Sequence, residues 1–187
     1  MEQRLSDPEG LETLLADLAR RIAAGRRPGL PLRLVGVRTR GVPIARRIAG
    51  HLAGLLGQAV PVGAVDITLY RDDVGQATHW PVLRGTDIRF AVDGAEVVLV
   101  DDVLYTGRTI RAALNAICDL GRPGCVRLAV LVDRGGRELP IRADYAGLDV
   151  AAEPPERVVV RISPVDAVEE IVRTSAAATG LHRSAPP

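Results

Sequence analysis

The sequence predicts an α/β fold in which a mostly parallel central sheet is flanked by helices. Runs such as LRLVGV, VVLV and VRLAVLVD are apolar at successive positions, the pattern of strands covered on both faces. Segments with apolar residues at helical spacing separate these runs, so strands and helices alternate along the chain. Of 187 residues, 47% are hydrophobic and 25% charged, which is enough apolar material for one core and too little charge for a disordered chain. The expected organisation is one domain over residues 1–172 and a loose tail over 173–187, where TSAAATGLHRSAPP offers little to pack.

Each element follows from a local signal. Leu11, Leu14, Leu15, Leu18 and Ile22 keep the i, i+3, i+4, i+7 spacing of an amphipathic helix, with Ser6 or Asp7 as its cap and Pro8 in its first turn. RRPGLP ends that helix, and a strand from Leu32 or Arg33 to Val37 follows, stopping at RTRG. Pro43 suits the start of a second helix, with Ile44, Ile48, Leu52 and Leu55 on one face up to Gly57. VGAVDITL reads as a strand. Residues 71–87 lack apolar periodicity and read as a long polar loop, a length usually tied to function or disorder. Strands are predicted at Ile88–Val92 and Val97–Val100, then a helix with Ile110, Ala113, Leu114 and Ile117 on one face and Gly121 at its end. VRLAVLVD is a further strand, and after LPIRADYAG the pattern is irregular except for a strand near Arg157–Ile162.

Composition removes whole function classes. All 24 basic residues are arginine, which excludes a lysine-dependent phosphate loop and any lysine Schiff-base chemistry. No apolar run reaches the ~20 residues of a membrane span and the first residues do not resemble a signal peptide, so a cytoplasmic location without membrane partners is expected. Cys118 and Cys125 are expected as reduced thiols. The net charge is only +1, yet no acid occurs between Asp17 and Asp66, an interval holding Arg20, Arg21, Arg26, Arg27, Arg33, Arg38, Arg40, Arg46 and Arg47. This interval reads equally well as a solvated face or as an anion-binding one.

The densest chemistry is in VVLVDDVLYTGRT, Val97 to Thr109. In an open α/β sheet, ligands sit beyond the carboxyl ends of the strands, where Asp101 and Asp102 are expected. After them Val103, Leu104, Tyr105, Thr106, Gly107, Arg108 and Thr109 lead into a helix whose first N–H groups attract a phosphate. Gly107 permits close approach or positive φ, and the threonines add hydroxyl donors. Carboxylates pointing into such a cup would repel the phosphate. They suit instead a ribose diol on the same ligand, and they favour positive charge developing on the neighbouring sugar carbon.

This string resembles the 5-phosphoribosyl 1-pyrophosphate (PRPP) signature of type I phosphoribosyltransferases. Together with VGVRTRGVPIARRIA, VDITLYRDD, LGRP and LAVLVDRGGRELPIRADYAG, it is similar to the bifunctional pyrimidine-operon attenuation regulators with uracil phosphoribosyltransferase activity. The resemblance covers about residues 11–162 and implies a small irregular hood on the fold. It also implies that Arg38, Thr39, Arg40 and Gly41 receive pyrophosphate and that the loop after Tyr70 closes over the substrate, with Arg71 and Asp72 at its hinge and Arg71 among the catalytic residues. Asp133 and Arg134 would lie near the base, read by either main chain or side chains. Mg²⁺ would be held by substrate oxygens rather than directly by protein. Arg20, Arg21, Arg137 and Arg142 would face a leader RNA. PRPP, uracil and the nucleotides UMP and UTP are the implied ligands, and a homo-oligomer the implied assembly.

The chain departs from that family at Gly136, where relatives carry histidine, at DVAAEPPE, which adds acids, and at Arg20 and Arg21 in the first helix. All three lie toward the RNA face and leave the ribosyl-phosphate signature intact. The expected function is a uracil phosphoribosyltransferase that also acts as an attenuation regulator; the alternatives are a nucleotide-sensing RNA-binding regulator with little catalysis and a phosphoribosyltransferase for another base. Few aromatic residues are available, so base stacking on single-stranded RNA is not expected.

Overall fold

A computed structural model describes residues 2–68 and 85–175. Its main sheet has five strands in the order β3-β2-β4-β5-β6, all parallel: β2 is Leu32–Val37, β3 Val62–Val65, β4 Glu96–Leu104, β5 Cys125–Asp133 and β6 Tyr145–Asp149. Period-two geometry sends alternate side chains of β4 to opposite faces. Val98 and Val100 join the core under α1 (Pro8–Gly25) and α2 (Gly41–Leu56), whereas Val97 and Leu99 join the core under α3 (Arg108–Cys118). Both faces are covered, which is why these strands are continuously apolar.

Local chemistry sets the helix ends. Asp7 caps α1 by accepting from the Gly10 N–H at 2.8 Å, and Pro8 occupies the first turn. Gly57 ends α2 with φ +65°, a left-handed conformation that costs glycine little. On α2, Ile44, Ile48 and Leu52 are fully buried as the spacing predicts, but Leu55 is 52% exposed and Leu56 packs against the core in its place.

Other departures have physical reasons. A second, antiparallel sheet of order β1-β8-β7 joins β1 (Glu2–Ser6), β8 (Glu170–Thr174) and β7 (Arg157–Arg161), so Arg173 and Thr174 belong to a strand. The strand expected to run through VGAVDITL stops at Val65. Ile88–Val92 is not a strand: this edge meets β3 only through an isolated bridge between Ala64 and Asp87. Phe90 instead packs on the α3-side core, with the Arg33 guanidinium 5.6 Å above its ring. β6, not anticipated, is the sheet's edge beside β5.

One register detail places the site. β2 pairs with β4 only as far as Gly36 opposite Val100, while β5 follows β4 on to Leu104 opposite Asp133. The last residues of β4 therefore lose their neighbour on the β2 side. The corner between β2 and α2 occupies the space beside them.

Candidate active site

Asp101 and Asp102 lie inside β4, not beyond its end as expected, because the strand continues to Leu104. The Asp102 N–H donates to Asp101 Oδ1 at 3.0 Å, and the Val103 N–H donates to Asp102 Oδ1 at 2.8 Å. Burial pushes the Asp101 carboxyl well above its ordinary range, and the adjacent Asp102 charge pushes the same way. Burial also raises Asp102, opposed by the Val103 N–H and by the Arg40 charge. Two carboxyls so close resist ionising together.

Behind the pair, Gly107 takes φ +91° and opens α3 without a side-chain cap. The first turn of α3 has no acid, so its N–H groups and positive dipole end suit an anion. The Arg108 N–H donates to Thr106 Oγ1 at 3.4 Å, and the exposed Arg108 side chain pairs with Glu138 at 2.7 Å. Thr109 is exposed, and Val103 is partly buried against the α1 and α2 side of the sheet.

The segment after β5 wraps this turn. The N–H groups of Glu138 and Leu139 donate to Thr106 O at 3.0 and 3.1 Å, and the Arg134 N–H donates to Leu104 O at 3.0 Å. The Arg137 guanidinium donates to the carbonyls of Tyr105 (2.8 Å), Ile141 (2.9 Å), Gly135 (3.1 Å) and Leu104 (3.3 Å) and pairs with Asp133. Arg134 is buried, donates to Ala152 O and Glu156 O, and stacks on the Tyr105 ring 3.9 Å from its centroid. Gly136, at φ +69°, lies so close to that ring that a Cβ would stand 2.5 Å from its edge.

These contacts change the roles expected of this segment. The Asp133 carboxylate is engaged by Arg137 and by the Gly135 N–H, and the Arg134 guanidinium by two carbonyls and a ring. Through these contacts both side chains brace the segment around Tyr105 and Gly135. The Arg137 guanidinium, expected to face RNA, is engaged by four carbonyls and Asp133. Arg142 is exposed, while Arg20 and Arg21, also exposed, both lean on Asp17, and Arg21 donates to Ala146 O.

The corner after β2 stands across from the acid pair. Gly41 passes so near β4 that a Cβ there would stand 2.3 Å from Val100 O. The Arg38 N–H donates to Val65 O, its Nε donates to Gly85 O at 2.9 Å, and the Arg38–Thr39 peptide is cis. Thr39 is exposed. Arg40 reaches away from the corner to form a two-bond pair with Asp166, at 2.8 and 2.9 Å. Asp66 was not singled out by its sequence context, yet its carboxylate accepts from the N–H groups of Thr68 and Gly85. Arg71 and most of the 71–87 loop lie outside the described residues.

Acid pair, glycine turn and corner thus line the carboxyl edge of the sheet. The phosphoribosyl transferase domain profile matches residues 4–159. The bifunctional protein PyrR of Pelotomaculum thermopropionicum is 52% identical over 90% of this chain and 93% of its own length, and that of Roseiflexus sp. is 49% identical over 94% and 97%. Among solved structures, the hypoxanthine phosphoribosyltransferase of Trypanosoma cruzi superposes with a TM-score of 0.68 at 22% identity, covering 92% of this chain and 96% of that one, and so shares the fold. The chain belongs to the phosphoribosyl transferase domain family and, within it, to the bifunctional PyrR proteins.

Proposed function

We propose that this protein transfers the 5-phosphoribosyl group of PRPP to uracil, giving uridine monophosphate and pyrophosphate, and that it also binds the leader RNA of a pyrimidine operon as an attenuation regulator. The observation that carries the reading is the meeting of three features at one edge: the Asp101–Asp102 pair, the Gly107 turn at the start of α3, and the Gly41 corner against Val100.

Each part takes one piece of the substrate. The first N–H groups of α3 and the Thr106 and Thr109 hydroxyls hold the 5-phosphate. Asp101 and Asp102 accept hydrogen bonds from the ribose hydroxyls and stabilise positive charge as the bond from the anomeric carbon to pyrophosphate breaks. The corner of Arg38, Thr39, Arg40 and Gly41 receives the departing pyrophosphate, and the uracil nitrogen bonds to the freed carbon as its N–H proton is released to solvent or to the pyrophosphate. Arg71, outside the described residues, joins the catalytic residues on the strength of the family resemblance alone. Base recognition falls to groups near Asp133 and Arg134, where the Asp133 carboxylate is already paired with Arg137 and two Arg134 bonds go to main-chain carbonyls.

Among the described residues, no three acidic, histidine or cysteine side chains gather as a metal cage. The oxygen donors of the acid pair nevertheless suit a hard ion held mainly by substrate, as the family resemblance implies for Mg²⁺. Bound there, the ion would neutralise charge on the leaving pyrophosphate. No helix among the described residues is long and apolar enough to cross a membrane.

Labelled uracil with PRPP and Mg²⁺ tests the transferase reading: uridine monophosphate should form, and hypoxanthine or orotate should not compete. Absence of product at saturating substrate refutes it, and preference for another base corrects the substrate. For the regulatory half, binding to a pyrimidine leader transcript should tighten with uridine nucleotide and weaken steeply with salt. A transcript bound no better than a scrambled one removes that half alone.

A further inference from the structure

Asp166 belongs to none of the motifs that mark the site. It lies between β7 and β8, 126 residues from Arg40 in sequence, yet both its oxygens accept from that arginine, Oδ1 from Nη2 at 2.8 Å and Oδ2 from Nε at 2.9 Å. The carboxylate is itself fixed. Its Oδ2 accepts from the Ile162 N–H at 3.0 Å, and the Asp166 N–H donates to Ile162 O at 2.9 Å, so a local turn sets its direction before the guanidinium arrives. The Asp166 and Arg40 side chains are 18% and 34% exposed, which shields the pair partly from water.

Arg40 has a rival partner. It is the residue just before α2, at the corner facing β4, and its charge is felt at Asp102. A long side chain with a cationic end beside two carboxyls would turn toward them unless something held it elsewhere. Turned that way, it would neutralise the acids meant for the ribose and withdraw its donors from the pyrophosphate. The fork to Asp166 uses Nε and one Nη2 hydrogen and leaves the Nη1 donors for an anion.

We propose that Asp166 is a positioning residue for phosphoribosyl transfer: it holds the Arg40 guanidinium off the acid pair and presents its Nη1 edge to the pyrophosphate group. The inference rests on the functional reading above and adds to it a residue from the connection between β7 and β8. A purely structural tie between the two sheets would affect stability without favouring one ligand over another.

Calorimetric titration of PRPP and, separately, of uridine monophosphate into wild type, Asp166→Asn, Arg40→Gln and the double variant tests this. In Asp166→Asn, PRPP affinity should fall about tenfold, the scale of one charge-assisted hydrogen bond, while uridine monophosphate affinity stays within about twofold. The double variant should bind PRPP no more weakly than Arg40→Gln alone, because both changes remove one interaction. Unchanged PRPP affinity in Asp166→Asn, additive losses in the double variant, or parallel loss of both ligands would each overturn the inference. Should Asp166→Asn not fold, Asp166→Glu takes the same measurements, since a longer acid keeps the charge but displaces the fork. If Arg40→Gln itself binds PRPP normally, the pyrophosphate role of the corner is wrong and the inference falls with it. If Arg40→Gln is impaired and Asp166→Asn is not, only the inference falls.

Discussion

Replacing Arg137 with alanine removes a guanidinium that braces, from behind, the turn proposed to hold the 5-phosphate. Its Nη1 is shared among the carbonyls of Tyr105, Gly135 and Leu104, its Nε donates to Ile141 O, and it pairs with Asp133. A hydrogen bond from a charged donor contributes about 1.5–3 kcal/mol, and the three-way sharing at Nη1 counts as about one bond. The side chain is 22% exposed, so water can re-solvate part of what is lost. A loss of about 3 kcal/mol follows, or roughly 6–12 °C in Tm for a domain of this size. With the Leu104 and Tyr105 carbonyls released, the turn must be ordered by the ligand, and uridine monophosphate should bind about tenfold more weakly. Thermal unfolding and a nucleotide titration measure the two effects, and Arg137→Lys, which keeps the charge without the planar fork, should recover only a small part. A Tm within about 2 °C of wild type with unchanged nucleotide affinity would refute the bracing role. If RNA binding alone were then lost, Arg137 would return to the surface role its sequence suggests.

Asp101→Asn keeps an acceptor for the Asp102 N–H and removes a buried charge. Because burial raises the native Asp101 pKa above the ordinary 3.8, the folded state holds that proton more tightly than the unfolded one. The resulting stabilisation is present below 3.8 and lost as pH rises through the native pKa, so the variant should melt like wild type in strong acid and above it at neutral pH, by about 1–3 kcal/mol. Turnover should fall about a hundredfold; a variant less stable than wild type at neutral pH, or fully active, contradicts the assignment. Gly41→Ala places a methyl group 2.3 Å from Val100 O, against backbone that cannot swing aside. It should cost about 2–4 kcal/mol in denaturant unfolding and raise the KM for PRPP, and near-wild-type values of both would show that the corner does not depend on close approach.

The parts of the fold that were legible are those whose signal is local. α1 announced itself through five leucine and isoleucine positions and a capping aspartate, and β5 through an unbroken apolar run. Of the second sheet, β7 was legible as RVVVR, but β1 and β8 gave no such sign: EQRLS and EIVRT are mostly polar, and they pair across almost the whole length of the chain. Their stability comes from that pairing, which no window of neighbouring residues contains. The opposite error occurred at Ile88–Val92. There the apolar alternation is real, with Val92 buried and Arg89 exposed, but among the described residues the segment's edge reaches β3 through one isolated bridge and builds no ladder.

The same distinction governs the site. Asp101, Asp102 and Gly107 could be read together because one strand and one turn carry them all, so their spacing encodes their geometry. For charged side chains spacing encodes much less. The stretch without acids between Asp17 and Asp66 read equally as a solvated or an anion-binding face, yet several of its arginines find carboxylates supplied from elsewhere. Arg40 meets Asp166, and Arg47 meets both Glu12 and Glu169. Arg137, read as an outward contact, turns inward for the same reason, since a long cationic side chain beside unsatisfied carbonyls lowers its energy by donating to them. A run of one charge sign along a chain therefore defines a demand for counter-charge and leaves open whether a ligand or another segment meets it. In this fold the helix α1 and the β7–β8 connection meet much of it, and Asp166 in particular meets it at Arg40 through Nε and Nη2, leaving the Nη1 donors of that arginine for the anion the proposed reaction releases.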